Sequence, residues 1–133
     1  MRTESDLAWP EFDDVLGRPT VVVTTFRRSG VGVPTGIWAT KLDGRYLFTT
    51  PSSTGKVKRL AHTERVTVQP GDKRGRATGG PVIEAVARRI DGTDLLSKFR
   101  SAVRTSSPIM SRVIELMYTV KRDERLVYEF TRS

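Results

Sequence analysis

The chain has 133 residues, which suits one domain of roughly 100 to 200 residues and leaves no room for a second, so residues 1–133 are expected to form a single domain. Its 23 Lys and Arg against 15 Asp and Glu give a formal net charge of +8, a field that favours anionic partners: nucleic acid, anionic lipid, or a small ligand carrying phosphates and carboxylates. The absence of cysteine excludes disulfides, thiolate metal sites, iron–sulfur clusters and thiol nucleophiles, and a single histidine, His62, excludes a polyhistidine metal site within one chain.

The N-terminal stretch MRTESDLAWPEFDD is acidic and has no apolar core of a secretion signal, so it is expected to be weakly structured over its first ten or so residues. No run approaches the ~18 apolar residues of a membrane span, and a cytoplasmic location follows as the expectation. TVVVTTFR, Thr20 to Arg27, is a β-branched and aromatic run suited to a pleated sheet, with Ser29-Gly30 as turn chemistry behind it. GVPTGIWATKL, Gly32 to Leu42, is a second extended run. Asp43-Gly44 joins it to RYLFTT, Arg45 to Thr50, and Asp-Gly between strand-like runs is a strong hairpin signal. The first three strands therefore form an antiparallel meander.

PSSTGKVKRLAHTER then interrupts the strands with a Pro/Ser/Thr/Gly loop and about two helical turns in KVKRLAH. RVTVQPG, Arg65 to Gly71, is a short strand. The basic, glycine-rich loop DKRGRATGG closes a long hairpin onto PVIEAVARRI, Pro81 to Ile90, whose imperfect alternation leaves its inner face open. Helical spacing appears in TDLLSKFRSAVR, with Leu95, Leu96, Phe99 and Val103 on one stripe and Asp91 or Thr93 as N-cap. SSPIMSRVIELMY follows, capped by Ser107 with Pro108 in the first turn and with Met110, Val113, Ile114 and Met117 lining one face for core or dimer packing. RLVYEF, Arg125 to Phe130, adds a last strand.

Dinucleotide, P-loop and nucleophile-elbow fingerprints are all missing, as is a carboxylate cluster for Mg²⁺, so any chemistry must come from a cofactor. TTPSSTGKVKRL, Thr49 to Leu60, sets the hydroxyls of Thr50, Ser52, Ser53 and Thr54 ahead of a helix N-terminus, with Lys56 and Arg59 on one face and Lys58 close by. Hydroxyls, free N–H groups and cations together suit a phosphate, although a basic short helix also serves as a plain solvated face. In the second strand, Pro34 and Gly36 open the ladder to a flat ligand, and Trp38 either covers a ring or fills the core. Lys73, Arg74 and Arg76 form a second basic loop that clamps an anionic tail or is simply solvated. His62 either caps its helix or donates to a phosphate.

TTFRRSGVGVPTGIWAT, then LDGRYLFTTPSSTGKVKRLAHTERVTVQPGDKRGRATGGPVIEAVARRI, and YTVKRDERLVYEF together span Thr24 to Phe130. They resemble the pyridoxamine-phosphate-oxidase-like, FMN-binding split-barrel superfamily, and within it the F420-dependent branch; TGKVKRL, RVTV and GDKRGRATG carry the most specific match. The resemblance implies a mainly β fold, a six-stranded antiparallel split β-barrel with short helices, assembled as a homodimer with two cofactor sites at the subunit interface. It carries over Pro34, Thr35, Gly36, Ile37 and Trp38 as contacts to a flavin or deazaflavin ring, and Thr49, Thr50, Ser53, Lys56, Lys58 and Arg59 as contacts to its phosphate and tail. Similar sequences often have cysteine where Gly71 stands. The implied cofactor is coenzyme F420, whose phosphodiester and glutamate tail suit a +8 chain better than the one phosphate of FMN, the alternative. The implied reaction is hydride transfer to an activated alkene or conjugated ring of a small-molecule substrate, with no dedicated acid identifiable in the chain. A nucleic-acid-binding barrel is the rival from another class; with aromatic residues only 8% of the chain, no row of stacking rings supports it.

Overall fold

The computed structural model describes residues 10–15, 20–42, 44–72, 76–90, 93–121 and 124–132. In chain order these form α1 (Pro10–Val15), β1 (Thr20–Phe26), β2 (Gly32–Leu42), β3 (Arg45–Pro51), α2 (Gly55–His62), β4 (Arg65–Pro70), β5 (Ile83–Ile90), α3 (Thr93–Ser106), α4 (Pro108–Lys121) and β6 (Arg125–Arg132). The six strands close into an antiparallel barrel in the order β1-β2-β3-β6-β5-β4, which leaves no sheet edge exposed. The expected meander is present, and the last strand inserts between β3 and β5.

Alternation along each strand fills the barrel. Val21, Val23 and Thr25 face inward from β1, Tyr46, Phe48 and Thr50 from β3, and Leu126, Tyr128 and Phe130 from β6. Size is matched across the register: Ala87 lies opposite Phe130, so a small residue on β5 leaves room for a ring on β6. That settles the open face of β5, with Ala85 and Ala87 inside. Phe48 stacks on Tyr128 at 5.3 Å and on Phe130 at 4.9 Å, giving the interior an aromatic centre.

Two hairpin turns depend on glycine at positive φ, Gly30 at 91° and Gly44 at 75°. Asp43, the other half of the second turn, lies outside the described residues, as do Lys73, Arg74 and Asp91. Gly71 is packed against β1, and a Cβ there would meet Val22 Cγ2 at 3.2 Å. A side chain at this position would require Val22 to give by a few tenths of an ångström.

Residues 1–9, expected to be weakly structured, lie outside the described residues. An element not expected from the sequence is α1, which takes proline in its first turn and closes one part of the core with Phe12, 4.7 Å from the Tyr46 ring, and Val15. The i, i+3 spacing of Phe12 and Val15 carried that signal. The stripe expected on α4 is met in part. Ser107 accepts from the Met110 N–H, as its cap role requires, but Val113 is 56% exposed together with Ile109 and Leu116. Ile114 is the residue that packs inward with Leu96, beside the buried Phe99 and Val103, on the outer faces of Leu47 and Val127. Of the expected stripe, Met110 and Ile114 are half-buried and Val113 is exposed on the single chain; the side chains of Leu95 and Met117 lie outside the described residues.

Candidate functional site

The loop between β3 and α2 owes its shape to hydroxyls. Thr54 occupies the N-cap with extended backbone, yet its hydroxyl donates to the Pro51 carbonyl at 3.1 Å instead of capping the helix. Because that proton is committed, the hydrogen bond at 3.1 Å between Thr50 and Thr54 runs from the buried Thr50 hydroxyl to Thr54 Oγ1. The start of α2 therefore has no side-chain cap, and a helix start without one favours an anion.

Leu60 anchors α2 in the core, with Val57 packed beside it. This directs Lys58, Arg59, Ala61 and His62 toward the end of β1. Arg59 Nε donates to the fully buried Thr25 hydroxyl at 2.5 Å. Its guanidinium lies back over the first turn of the helix, where a Cβ on Gly55 would fall 2.7 Å from Nη1. Burial, and then the positive charge of Arg27, hold the Arg59 pKa below its ordinary value. Among the described residues no carboxylate pairs with Arg59.

Between α2 and the β1–β2 turn opens a cleft of about 380 Å³ lined by Phe26, Arg27, Arg28, Lys58, Arg59, Ala61 and His62. Its lining contains no acidic residue. Arg65 stands over the Phe26 ring, 4.5 Å from its centroid. Among the described residues no group of His, Asp and Glu could hold a metal ion, and no helix is long and apolar enough to cross a membrane.

The expected anion contacts separate into three places. Lys58 and Arg59 stand in the cleft. Thr50 is buried and bonded to Thr54, while exposed Ser53 and half-buried Lys56 belong to the start of α2. Thr49, one residue before Thr50, points to the opposite face of β3, where its hydroxyl accepts from Arg125 Nε at 3.3 Å. Arg76 is engaged by Asp72, with Nε 3.3 Å from Oδ2 and the backbone N–H 2.9 Å from Oδ1. His62 opens onto the cleft, and the helix end is closed instead by the Thr63 N–H donating to the Arg59 carbonyl at 2.9 Å.

The expected ring contacts divide in the same way. Pro34 and Gly36 are exposed on the outer face of β2, and Pro34 is paired with Thr24, next to the Thr25 that holds Arg59. The open strip of β2 thus begins beside the cleft. Half-buried Thr35 and buried Ile37 alternate to the inner face, and Trp38 packs on the outside of the sheet with the cluster of Leu47, Phe99, Val103 and Val127. Sequence reasoning missed Thr25, Phe26, Arg27 and Arg28 as parts of the site. The signal was present in Arg27-Arg28 ahead of Ser29-Gly30, where turn chemistry alone had been read.

No protein-family model and no curated protein matches the chain. Solved structures do. The heme storage protein HutZ from Vibrio cholerae superposes with a TM-score of 0.65 at 12% identity, covering 100% of this chain and 92% of its own. A protein assigned as a pyridoxamine 5′-phosphate oxidase from Listeria innocua gives 0.62 at 11% identity, covering 94% and 95% respectively. An F420-H2 dependent reductase gives 0.52 at 20% identity, covering 84% and 95%. The chain accordingly has the closed six-stranded split-barrel fold that these oxidase-like, F420-dependent and heme-binding proteins share.

Proposed function

We propose that the chain is a coenzyme F420-dependent oxidoreductase, an F420H2-dependent reductase working as a cytoplasmic homodimer. The observation that carries this reading is Arg59: a partly desolvated guanidinium held on Thr25 over an uncapped helix start, without a carboxylate partner among the described residues and beside Arg27, Arg28 and Lys58. Such an arrangement leaves positive charge uncompensated, and the anionic end of a cofactor supplies the missing charge. The residues fit the group. Lys58 and Arg59, with Ser53 and Lys56 at the start of α2, would hold the phosphate and tail, while Thr50 through Thr54 and Thr49 through Arg125 would fix the loop that carries them. The strip at Pro34 and Gly36, with Thr35, Ile37 and Trp38 on the same strand, would support the ring.

When bound, the reduced deazaflavin supplies a hydride for an electrophilic carbon of an activated alkene or conjugated ring. The role of this chain is to bind and orient: cations fix the anionic end, and the glycine and proline of β2 let a flat ring approach the backbone. A basic cleft suits the several charges of F420 better than the one phosphate of FMN.

The test is separate titration of F420, FMN and heme into the purified protein, followed by tryptophan fluorescence. Heme is included because some proteins of this fold bind it and His62 faces the cleft. Micromolar quenching by F420 alone, followed by substrate-dependent oxidation of F420H2, is the expected result. Saturation by FMN or heme with no response to F420 would overturn the cofactor assignment.

A further inference from the structure

The anion-holding loop is gripped from its β6 side as well as from the cleft. Arg125 Nε donates to Thr49 Oγ1 at 3.3 Å, the Ser52 N–H donates to the Glu124 carbonyl at 2.9 Å, and Pro51 is the register partner of Arg125. Arg125 is itself clamped. Its Nη1 donates at 2.8 Å to Oε1 of Glu115 on α4, and the same carboxylate receives Arg100 of α3, Nε at 2.9 Å on Oε1 and Nη2 at 2.7 Å on Oε2. The Arg125 side chain is 9% exposed and Glu115 37%, so the guanidinium of Arg125 is the partner withdrawn from water.

We infer that Glu115 is a positioning residue for the cofactor's anionic end: through Arg125 it fixes Thr49, and with it the path of Pro51–Thr54 into α2. The inference rests on the reading that this loop holds that end. Oxygen Oε1 serves both arginines, so the carboxylate is the joint between the α3–α4 hairpin and the loop. A glutamine in its place keeps the shape but turns an N–H group toward one of two guanidiniums that need an acceptor. Arg100 and Arg125 then lose their shared counter-charge, and the nearly buried Arg125 must turn toward water, releasing Thr49. The lever acts only on the phosphate side of the site, since neither Glu115 nor Arg125 lies on β2.

The experiment compares F420 with its phosphate-free deazaflavin chromophore on the full chain and its Glu115→Gln variant, with Glu115→Asp and Thr49→Val alongside. Expected is an about tenfold weaker F420 affinity in Glu115→Gln, the size of one charge-assisted hydrogen bond, with the chromophore's affinity held within about twofold. Thr49→Val, which removes only the acceptor for Arg125, should show the same selective loss, and Glu115→Asp should recover part of it. A control, Lys41→Met, breaks the exposed Lys41–Asp13 pair and should change neither affinity. Equal weakening of both ligands, unchanged affinity in both variants, or tighter F420 binding would overturn the inference. Should Glu115→Gln fail to fold, Thr49→Val decides it alone. A wild-type chain that binds neither ligand removes the proposed function itself, and the inference with it.

Discussion

Arg59→Met separates a binding cation from a structural one. The substitution removes the Nε bond to Thr25, a hydrogen bond from a charged donor to a fully buried hydroxyl, worth about 1.5–3 kcal/mol in a typical fold. Two penalties disappear with it: the desolvation of the guanidinium and its repulsion by Arg27, the causes that depress its pKa. A depressed pKa on a base means that folding opposes the charge, so the loss and the relief have opposite signs and the net cost to stability stays at or below the low end of that range. For a chain of this size that is a melting shift of no more than about 5 °C. Binding has no such offset, since the anion is what makes the charge favourable. F420 affinity should drop by about 1.5–3 kcal/mol, roughly ten- to hundredfold. Thermal melts and fluorescence titration on the same preparation read both numbers. A melting loss beyond about 10 °C with unchanged affinity would show that Arg59 serves the fold, and the reasoning about the cleft would be refuted.

The buried pair elsewhere behaves in the opposite manner. Arg45 reaches Glu129 through Nε at 2.9 Å and Nη2 at 3.1 Å, and Glu129 is 2% exposed, so Glu129→Gln should cost about 2–4 kcal/mol and lower the melting temperature by about 6–12 °C without touching affinity; a shift under about 2 °C would rule this out. Phe48→Ala empties the centre of the barrel beside Tyr128 and Phe130 and should cost about 3–5 kcal/mol in a denaturant titration, with a loss below about 1.5 kcal/mol meaning that the interior collapses around the gap. Acid stability should follow Glu115: burial alone would raise its pKa, but the hydrogen bonds from Arg125 and Arg100 outweigh that and lower it from 4.5. A lowered carboxyl contributes stability above its unfolded pKa that is lost as pH falls through the folded one, so melts from about pH 5 downward should show a steeper decline in wild type than in Glu115→Gln. Parallel curves would count against the clamp.

The barrel was legible because the period of two is strong where residues are β-branched or aromatic, in TVVVTTF, RYLFTT and RLVYEF. Such a pattern fixes which face is inside. The same period was underused at the site. Thr49 and Thr50 are neighbours in a strand and must point apart, so both could not meet one phosphate; only their different partners, Arg125 and Thr54, make this visible. Trp38 was undecidable from sequence because its surroundings are Leu47 on β3 and Phe99 on α3, residues brought to it by closure of the sheet. Arg27 and Arg28 were hidden for a similar reason. Their proximity to α2 depends on β1 lying alongside that helix, and no local pattern encodes it. α1 was overlooked since an acidic N-terminus masked two apolar residues, Phe12 and Val15.

The distribution of counter-charges ties these observations to function. Several cations away from the cleft have a carboxylate against them: Glu129 for Arg45, Glu115 for Arg100 and Arg125, Asp72 for Arg76, Asp13 for Lys41. Around the cleft no such pair is present among the described residues. Arg27, Arg28, Lys58 and Arg59 share one wall without an acid, and Arg59 is partly desolvated there, a placement that folding alone disfavours. Solvated lysines and arginines scatter over a surface at little cost, but four converging on one concave wall repel one another, and the fold has to hold them there with Thr25, Gly55 and Leu60. Four cations converging on one wall, without a carboxylate against them among the described residues, are the arrangement that the anionic end of the proposed cofactor would neutralise.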